Sequence, residues 1–198
     1  CVLAVPDAAM AATAAAVADD LGPETALIHC AGALDLDAFG PSSQLLRRLR
    51  VSFHPLVAIS DARDPLADHS VALAASDRAL MPVLWRMALA LRMRPIEVPD
   101  GRRAAYHAGA VMTAGLMVCL LDAACAALAE AGVERAAALE ALLPLASSAL
   151  DGVKKRGLEK GLTGPIARGD LAVVRSHLEG LPPPLASLYR LLSVRALA

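Results

Sequence analysis

The sequence predicts an α/β domain built on a parallel or mixed sheet, followed by an all-α domain. In the first half, short apolar runs bounded by Gly, Pro and Asp alternate with helical stretches, which is the pattern of a sheet with helices on its faces. After Pro99-Asp100-Gly101 the chain becomes a series of long helical stretches without a strand signal. A chain of 198 residues, of which 57% are hydrophobic, can form two small cores. We therefore expect domains at residues 1–100 and 101–198.

Five strands are predicted in the first domain, because each apolar run is short and ends in turn residues. Asp7 is placed to cap the first helix, and Gly22-Pro23 is placed to end it. The predicted strands are residues 1–5, 25–30, 51–53, 70–75 and 95–98, and the predicted helices are residues 8–21, 37–49 and 77–91.

The second domain is predicted to be entirely helical. Residues 102–131 have the length of one helix of about 45 Å, since a helix rises 1.5 Å per residue. Further helices are expected at residues 134–156, 171–179 and 184–196. Between them, residues 162–170 read Leu-Thr-Gly-Pro-Ile-Ala-Arg-Gly-Asp. Two glycines and a proline shape this loop so that it presents Thr163, Arg168 and Asp170, and Asp170 either caps the next helix or orients Arg168.

Charge and cysteine spacing exclude several classes of function. A net charge of -1 gives no basic face of the kind that binds nucleic acid, so a small molecule or a protein is the expected partner. The cysteines at 1, 30, 119 and 125 lack metal-ligand spacing and are expected to be buried, reduced thiols of a cytoplasmic protein. Residues 104–121 approach the length of a membrane span. Tyr106, His107 and Thr113 interrupt that run and no second span is evident, so we expect a helix buried by protein and no membrane partner.

Candidate ligand positions follow the predicted strands, because open parallel sheets bind ligands outside the carboxyl ends of their strands. Those ends carry Val5-Pro6-Asp7, His29-Cys30-Ala31-Gly32 and His54-Pro55. Ordinary turn chemistry is the alternative explanation for each. Pro55 restricts His54 to an extended conformation, in which the ring either lines the substrate side or faces solvent without a role. No Gly-x-Gly-x-x-Gly turn follows a strand, and Gly164 to Gly169 is not a phosphate-binding loop, because Asp170 stands where a Lys is needed.

Arg103 and His107 are four residues apart on a predicted helix and therefore share a face. If that end of the helix meets the ligand edge of the sheet, His107 can act as a general acid towards a carbonyl while Arg103 holds a carboxylate. The alternative is a buried His107 that bonds to a neighbouring backbone carbonyl.

Three segments resemble a known family. Tyr106-His107-Ala108-Gly109-Ala110-Val111, Ser52-Phe53-His54-Pro55-Leu56 and the loop at residues 162–170 are similar to those of Rossmann-like proteins with a helical C-terminal domain of unassigned function. These are relatives of 6-phosphogluconate dehydrogenase, pyrroline-5-carboxylate reductase and ketopantoate reductase. The resemblance implies a partial Rossmann-like parallel sheet that lacks its first βαβ unit, followed by a helical domain like the C-terminal domain of 6-phosphogluconate dehydrogenase. A first residue of Cys rather than Met agrees with the expectation that the sequence is N-terminally incomplete.

The resemblance also implies a reaction and its residues. We expect hydride transfer between NADP or NAD and a small oxo or hydroxy acid, although a chain without the phosphate-binding turn should bind the dinucleotide weakly or not at all. The helical domain is expected to form a homodimer and to bind an acidic substrate. The catalytic residues are expected to be His107 and Arg103, the substrate-binding residues His54, Tyr106, Thr163 and Arg168, and the cofactor contacts Val5, Pro6, Asp7, Ala31 and Gly32.

Three departures from the family pattern favour a different hypothesis. Arg103 stands where relatives tend to have Lys, Gly115 where they tend to have Asn, and Ala31 where Ser is common. Arginine stays charged and is a poor proton donor, and glycine has no side chain to contribute. The alternative to an enzyme is therefore a non-catalytic, degenerate paralogue that serves as a dimerisation or ligand-sensing module.

Overall fold

A five-stranded mixed sheet organises the first part of the chain. A computed structural model describes residues 1–197, apart from the side chains of residues 43, 44 and 197. The chain divides into two compact units, Cys1–Ala114 and Gly115–Ala198. The sheet order is β1-β2-β3-β4-β5, in which β3 and β4 are antiparallel and the other neighbours are parallel. The strands are β1 (Val2–Leu3), β2 (Leu27–His29), β3 (Arg50–Leu56), β4 (Ser70–Ala75) and β5 (Arg94–Glu97).

Four α-helices accompany this sheet, and they are shorter than predicted. The helix predicted at residues 37–49 is a 3-10 turn, Leu36–Phe39, followed by a four-residue α-helix. The prediction that Asp7 caps the first helix is wrong. Pro6 occupies the cap position, and Asp7 lies in the first turn of a 3-10 segment, Asp7–Ala9. The α-helices are α1 (Met10–Val17), α2 (Ser43–Leu46), α3 (Met81–Ala90) and α4 (Arg103–Thr113).

The two faces of the sheet differ in chemistry, because alternate residues of a strand point to opposite sides. On one face, Val51 and Phe53 of β3 pack with Leu84 of α3 in a fully apolar cluster. On the other face, Leu27 of β2 joins a cluster with α1, but His29, two residues further on, shares that side. Ser52 lies opposite His29 in the parallel register, so polar side chains continue along this face of the sheet.

Four helices form the second unit: α5 (Gly115–Glu130), α6 (Arg135–Gly161), α7 (Leu171–Gly180) and α8 (Pro183–Leu197). The single helix expected at residues 102–131 is wrong, because the backbone of Ala114 (ψ −83°) ends α4 before α5 begins. Gly157 interrupts α6 with a φ of 76°, one residue after the predicted end of that helix. Asp170 caps α7, as the capping alternative predicted, and its carboxylate accepts from the Val173 N–H at 3.2 Å.

Two helical stretches are long and apolar enough to cross a membrane by length and composition alone. They are Arg103–Glu130 and Arg135–Gly161, so the expectation that no second such segment exists is wrong. The most apolar windows of the two stretches are only 6% and 11% buried. The expectation that the first is buried all round by protein is therefore not met within one chain, whose helices expose much of their apolar surface.

The expectation that the four cysteines are buried is wrong for two of them. Cys125 is buried and Cys30 is partly buried, whereas Cys1 and Cys119 are exposed.

Candidate active site

The loop after β2 brings Gly32 against two histidine rings. Gly32 is buried, and a Cβ at this position would collide with Nδ1 of His107 and stand 2.8 Å from Nε2 of His54. Only a residue without a side chain lets both rings approach the loop in this way. The expected convergence of His107 with the loop edge of the sheet is therefore present within the first unit.

Tyr106 holds the ring of His54. Its hydroxyl lies 2.7 Å from His54 Nδ1, and the two rings meet edge to face. The His54 and His107 rings also meet edge to face, with centroids 5.9 Å apart. All three side chains are only partly buried. His54 lies within β3 rather than in the loop predicted there, because antiparallel pairing with β4 prolongs the strand to Leu56.

Arg103 lies beneath this cluster rather than at its surface. The residue is 0% exposed, its guanidinium lies 5.5 Å from the centre of the Tyr106 ring, and its Nη2 donates to the Ala72 carbonyl at 3.5 Å. Nε and Nη1 have no hydrogen-bond partner among the residues that the structure describes. A buried cation with unused donors is costly unless an anion or fixed dipoles compensate for lost hydration. The geometry therefore suits a nearby negative charge, although the side chain does not itself reach solvent.

A buried polar layer lies on the sheet near Arg103. His29 and Ser52 are 0% exposed, and neither the His29 ring nitrogens nor the Ser52 hydroxyl has a partner within the described part of the chain. His29 stacks at a tilt against Phe39, with ring centroids 5.3 Å apart. Polar groups are concentrated here instead of the apolar side chains that fill the opposite face of the sheet.

The buried charge of Arg103 and the surrounding protein keep two imidazoles neutral. Burial, and then the positive charge of Arg103, lowers the pKa of both His29 and His54 to about 4. Burial also raises the pKa of the Tyr106 hydroxyl and lowers that of Arg103. At neutral pH, His54 is therefore an uncharged ring beside a protonated phenol.

Two aspartates that the sequence did not single out fix the start of α4. Asp100 accepts a hydrogen bond from the Leu36 N–H at 2.8 Å, and Asp35 accepts one from the Gly101 N–H at 2.7 Å. These reciprocal bonds join the loop after β2 to the turn before α4. Turn composition marks both positions as loops, but no local pattern reveals partners more than sixty residues apart.

The expected cofactor contacts lie at one edge of the sheet. Val5, Pro6 and Asp7 follow β1, whereas Ala31 and Gly32 follow β2, and the two strands are parallel neighbours. Val5 packs against the core cluster of this face, and the Pro6 carbonyl accepts from the Ala9 N–H at 2.8 Å. Gly32 is covered by the histidine rings and contacts the predicted catalytic side chain, His107.

Thr163 and Arg168 belong to the second unit, where both side chains are exposed. Their loop is shaped as expected, because Gly164 and Gly169 have positive φ angles of 91° and 68°. The Asp170 N–H donates to the Pro165 carbonyl at 2.9 Å and closes the loop. Their roles in substrate binding stay predictions.

The first unit has a Rossmann-like α/β fold, and the second unit is a helical C-terminal domain. Residues 69–196, more than half of the chain, match the family described as domain of unknown function (DUF2520), and the chain belongs to this family. No curated protein matches the chain.

Solved structures show the same fold. Over 98% of its length the chain is similar to BF3122 from Bacteroides fragilis, a proposed NADP oxidoreductase, with 22% identity, a TM-score of 0.76 and 73% of that chain covered. Protein TM1727 from Thermotoga maritima is similar over 98% of this chain and 75% of its own, with 25% identity and a TM-score of 0.80. An NADH-preferring ketol-acid reductoisomerase from an uncultured archean has 15% identity and a TM-score of 0.65, over 98% of this chain and 62% of that one.

Proposed function

We propose that this protein is an NAD(P)-dependent oxidoreductase that acts on a small oxo or hydroxy acid. The observation that carries the proposal is the contact of His107 with Gly32 at the carboxyl end of β2. Open α/β sheets bind ligands at such an edge, and an imidazole there is within reach of a reacting oxygen. The similarity to oxidoreductase structures supports the fold on which this proposal rests.

The residues present fit one end of a nicotinamide cofactor. The loops after β1 and β2 lie side by side, and the absence of a side chain at Gly32 leaves the second loop close to His107. Val5, Pro6, Asp7 and Ala31 are the residues that would hold the nicotinamide end. When bound, the cofactor supplies or accepts a hydride at the substrate carbon.

The protein's own side chains would transfer the proton to the substrate oxygen and stabilise the negative charge that develops on it. His107 Nδ1 faces Gly32, so Nε2 is the nitrogen that gives a proton to the substrate oxygen during reduction and takes it back during oxidation. Arg103 acts from beneath, where its fixed positive charge favours an acidic substrate and the negative charge that develops on oxygen. Thr163 and Arg168, which are exposed on the second unit, stay proposed substrate-binding residues.

A fluorescence titration of the full-length protein with NADH and with NADPH tests the cofactor. We expect saturable binding of at least one of them, followed by oxidation of the bound cofactor in the presence of small 2-oxo acids. The variant His107→Gln should keep the binding and lower turnover by about 100-fold or more, the usual contribution of a general acid. Absence of a response to both dinucleotides would reject the proposal.

A non-catalytic module is the second candidate, and the burial of Arg103 favours it. The side chain does not reach the surface, and Ala31 and Gly115 offer no polar group. This candidate predicts binding of an acidic ligand or a dinucleotide without turnover, so oxidation of the bound cofactor in the presence of small 2-oxo acids distinguishes the two.

We also propose that the second unit forms a homodimer. Only Cys125 of the sixteen residues of α5 is buried, whereas Leu116 and Val118 are 52% and 65% exposed. An open, apolar groove of about 200 Å³ lies between α5 and α8. Contiguous apolar surface of this kind on a helix marks an interaction site, and a second copy supplies matching apolar helices. The groove is lined by Leu120, Ala123, Ala124, Ala127, Leu128, Leu181, Leu185, Leu188, Tyr189 and Leu192.

A further inference from the structure

We propose that the Tyr106 ring is a gate over Arg103, held closed by its hydrogen bond to His54, and that opening of this gate admits the carboxylate of an acidic substrate to the guanidinium. The inference rests on the proposed function, which calls for an acidic substrate. It deepens that function, because it explains how a buried arginine can bind a substrate that comes from solvent.

The Tyr106 ring covers the guanidinium of Arg103. Arg103 is buried and its Cζ lies over this ring, 5.5 Å from the ring centre, whereas Tyr106 itself is partly exposed. The approach past Gly32 is filled, because the His54 and His107 rings crowd against that residue and leave no room for a ligand atom. The Tyr106 side is therefore the route by which a ligand reaches Arg103.

Arg103 has no anionic partner of its own in the described part of the chain. None of the ion pairs there includes it, and its Nε and Nη1 make no hydrogen bond. The charges of Asp35 and Asp100 oppose the fall in its pKa, but both carboxylates already accept backbone N–H groups. Buried charges are normally paired, and arginine N–H groups bind carboxylates strongly. An incoming carboxylate would supply the missing partner.

A single hydrogen bond holds the gate closed. The Tyr106 hydroxyl lies 2.7 Å from His54 Nδ1, its only hydrogen-bond partner among the described residues. Tyr106 belongs to neither of the two apolar clusters that the structure describes in the first unit. One neutral hydrogen bond changes an equilibrium by only about two- to tenfold, and partly exposed side chains exchange between staggered rotamers. The ring can therefore turn outward without unfolding of α4.

Phenylglyoxal, which modifies accessible guanidinium groups, tests the gate in the full-length protein without any cofactor. Mass spectrometry gives the rate of modification at Arg103. We expect Tyr106→Phe to raise that rate about two- to tenfold, because this variant keeps the ring and loses the hydrogen bond. Tyr189→Phe is the matched control: it removes the hydroxyl 2.8 Å from His177 Nδ1 in the second unit and should leave the rate at Arg103 unchanged.

Arg48 is the internal reference for general loosening of the first unit. Its guanidinium donates to three backbone carbonyls, so its rate of modification rises only if the surrounding structure opens. An unchanged rate at Arg103 in Tyr106→Phe, or equal increases at Arg103 and Arg48, would overturn the inference.

Oxamate, an unreactive analogue of a 2-oxo acid, tests what the gate admits in the presence of saturating NADPH or NADH. We expect Tyr106→Phe to bind oxamate more tightly than the wild type, by up to about tenfold, because binding no longer has to break the hydrogen bond of the closed gate. Arg103→Gln, which removes the charge, should weaken oxamate by about tenfold or more. A Tyr106 that contacts the substrate directly predicts weaker binding in Tyr106→Phe, and that result would contradict the gate.

The two proposals fail in different ways. If neither dinucleotide binds, the oxidoreductase function fails, and the rate of modification at Arg103, which needs no cofactor, still decides whether the gate exists. If a dinucleotide binds and His107→Gln loses turnover, but Tyr106→Phe leaves the rate at Arg103 unchanged, only the gate is wrong.

Discussion

At Gly32 the sheet edge and α4 come into contact. The position needs no unusual backbone angle, so the reason for glycine is the space taken by the His54 and His107 rings. This differs from the role of Gly157 or Gly164, whose positive φ values require glycine for conformational reasons.

Gly32→Ala should therefore lower stability by about 1–3 kcal/mol, because a methyl group forced against packed rings must displace them. Gly109→Ala is the matched control: nothing lies within 4 Å of its Cβ position in α4, and alanine favours helix, so this variant should be as stable as the wild type or more so. Urea denaturation measures both. Equal stabilities of the two variants would show that the His54 and His107 rings move aside without a measurable cost in free energy.

His29 gives stability a pH dependence. Its pKa is about 4 in the folded protein and 6.5 for the unperturbed side chain. Below pH 6.5 the unfolded chain binds a proton that the folded chain does not, so stability falls as the pH falls from 6.5 to 4 and no further from this group below that. The slope is at most about 1.4 kcal/mol per pH unit.

Replacing this ring with an apolar side chain of similar size should flatten that dependence. His29→Leu is expected to lose less stability than the wild type between pH 6.5 and pH 4.5, and denaturant titrations at several pH values measure the difference. Parallel curves for the two proteins would mean that His29 is protonated equally in both states.

Among the elements, α4 carries most of the candidate site, and the Asp35 and Asp100 carboxylates fix its beginning. Each accepts a backbone N–H from the other's loop. Because α4 also carries Tyr106 and His107, these two bonds set where both side chains meet the sheet.

Asp100→Ala should cost about 1–3 kcal/mol, since it leaves the partly buried Leu36 N–H without its acceptor. Asp100→Asn, which keeps a side-chain oxygen, should retain more of that stability. Denaturation gives the free energies, and the nitrogen-15 signals of His54 report whether Tyr106 has moved. An alanine variant with unchanged stability and unchanged signals would show that the bond does not position α4.

Sequence patterns predicted the existence of the elements better than their lengths. The strand at residues 70–75 was predicted with its observed bounds, because it is a buried apolar run with clear turn residues on each side. β3 was predicted four residues too short, since its extension depends on pairing with β4, which has no local signature. The break between α4 and α5 falls at Ala114, where neither a Gly nor a Pro marks it in the sequence.

The candidate site was predictable only where a general rule applied. The rule that ligands bind outside the carboxyl ends of parallel strands predicted that Gly32 and His107 lie close together. Helical spacing placed Arg103 beside His107, but spacing does not show depth, and the guanidinium lies buried under Tyr106. The Tyr106 bond to His54 is a tertiary contact between residues fifty-two apart, so no sequence period encodes it.

At the scale of the whole molecule, we propose that the exposed apolar helices of the second unit form the interface of a homodimer. Light scattering after gel filtration should give a dimer, and Val118→Asp on α5 should dissociate it, because a charge in an apolar interface is strongly unfavourable. Ile59→Asp, at a residue that is 60% exposed in the first unit, is the control and should remain dimeric. A monomer that sediments with lipid vesicles would instead assign the helices to a membrane.

The arginine at position 103 supplies a constant positive charge that affects the pKa values of His29 and His54. Burial lowers the pKa of Arg103, but a guanidinium is so basic that it keeps its positive charge at any cellular pH. A lysine in the same place would readily shed its proton, and the neighbouring rings would then regain much of their basicity. With arginine at this position, the positive charge near His29 and His54 stays constant over the range of cellular pH.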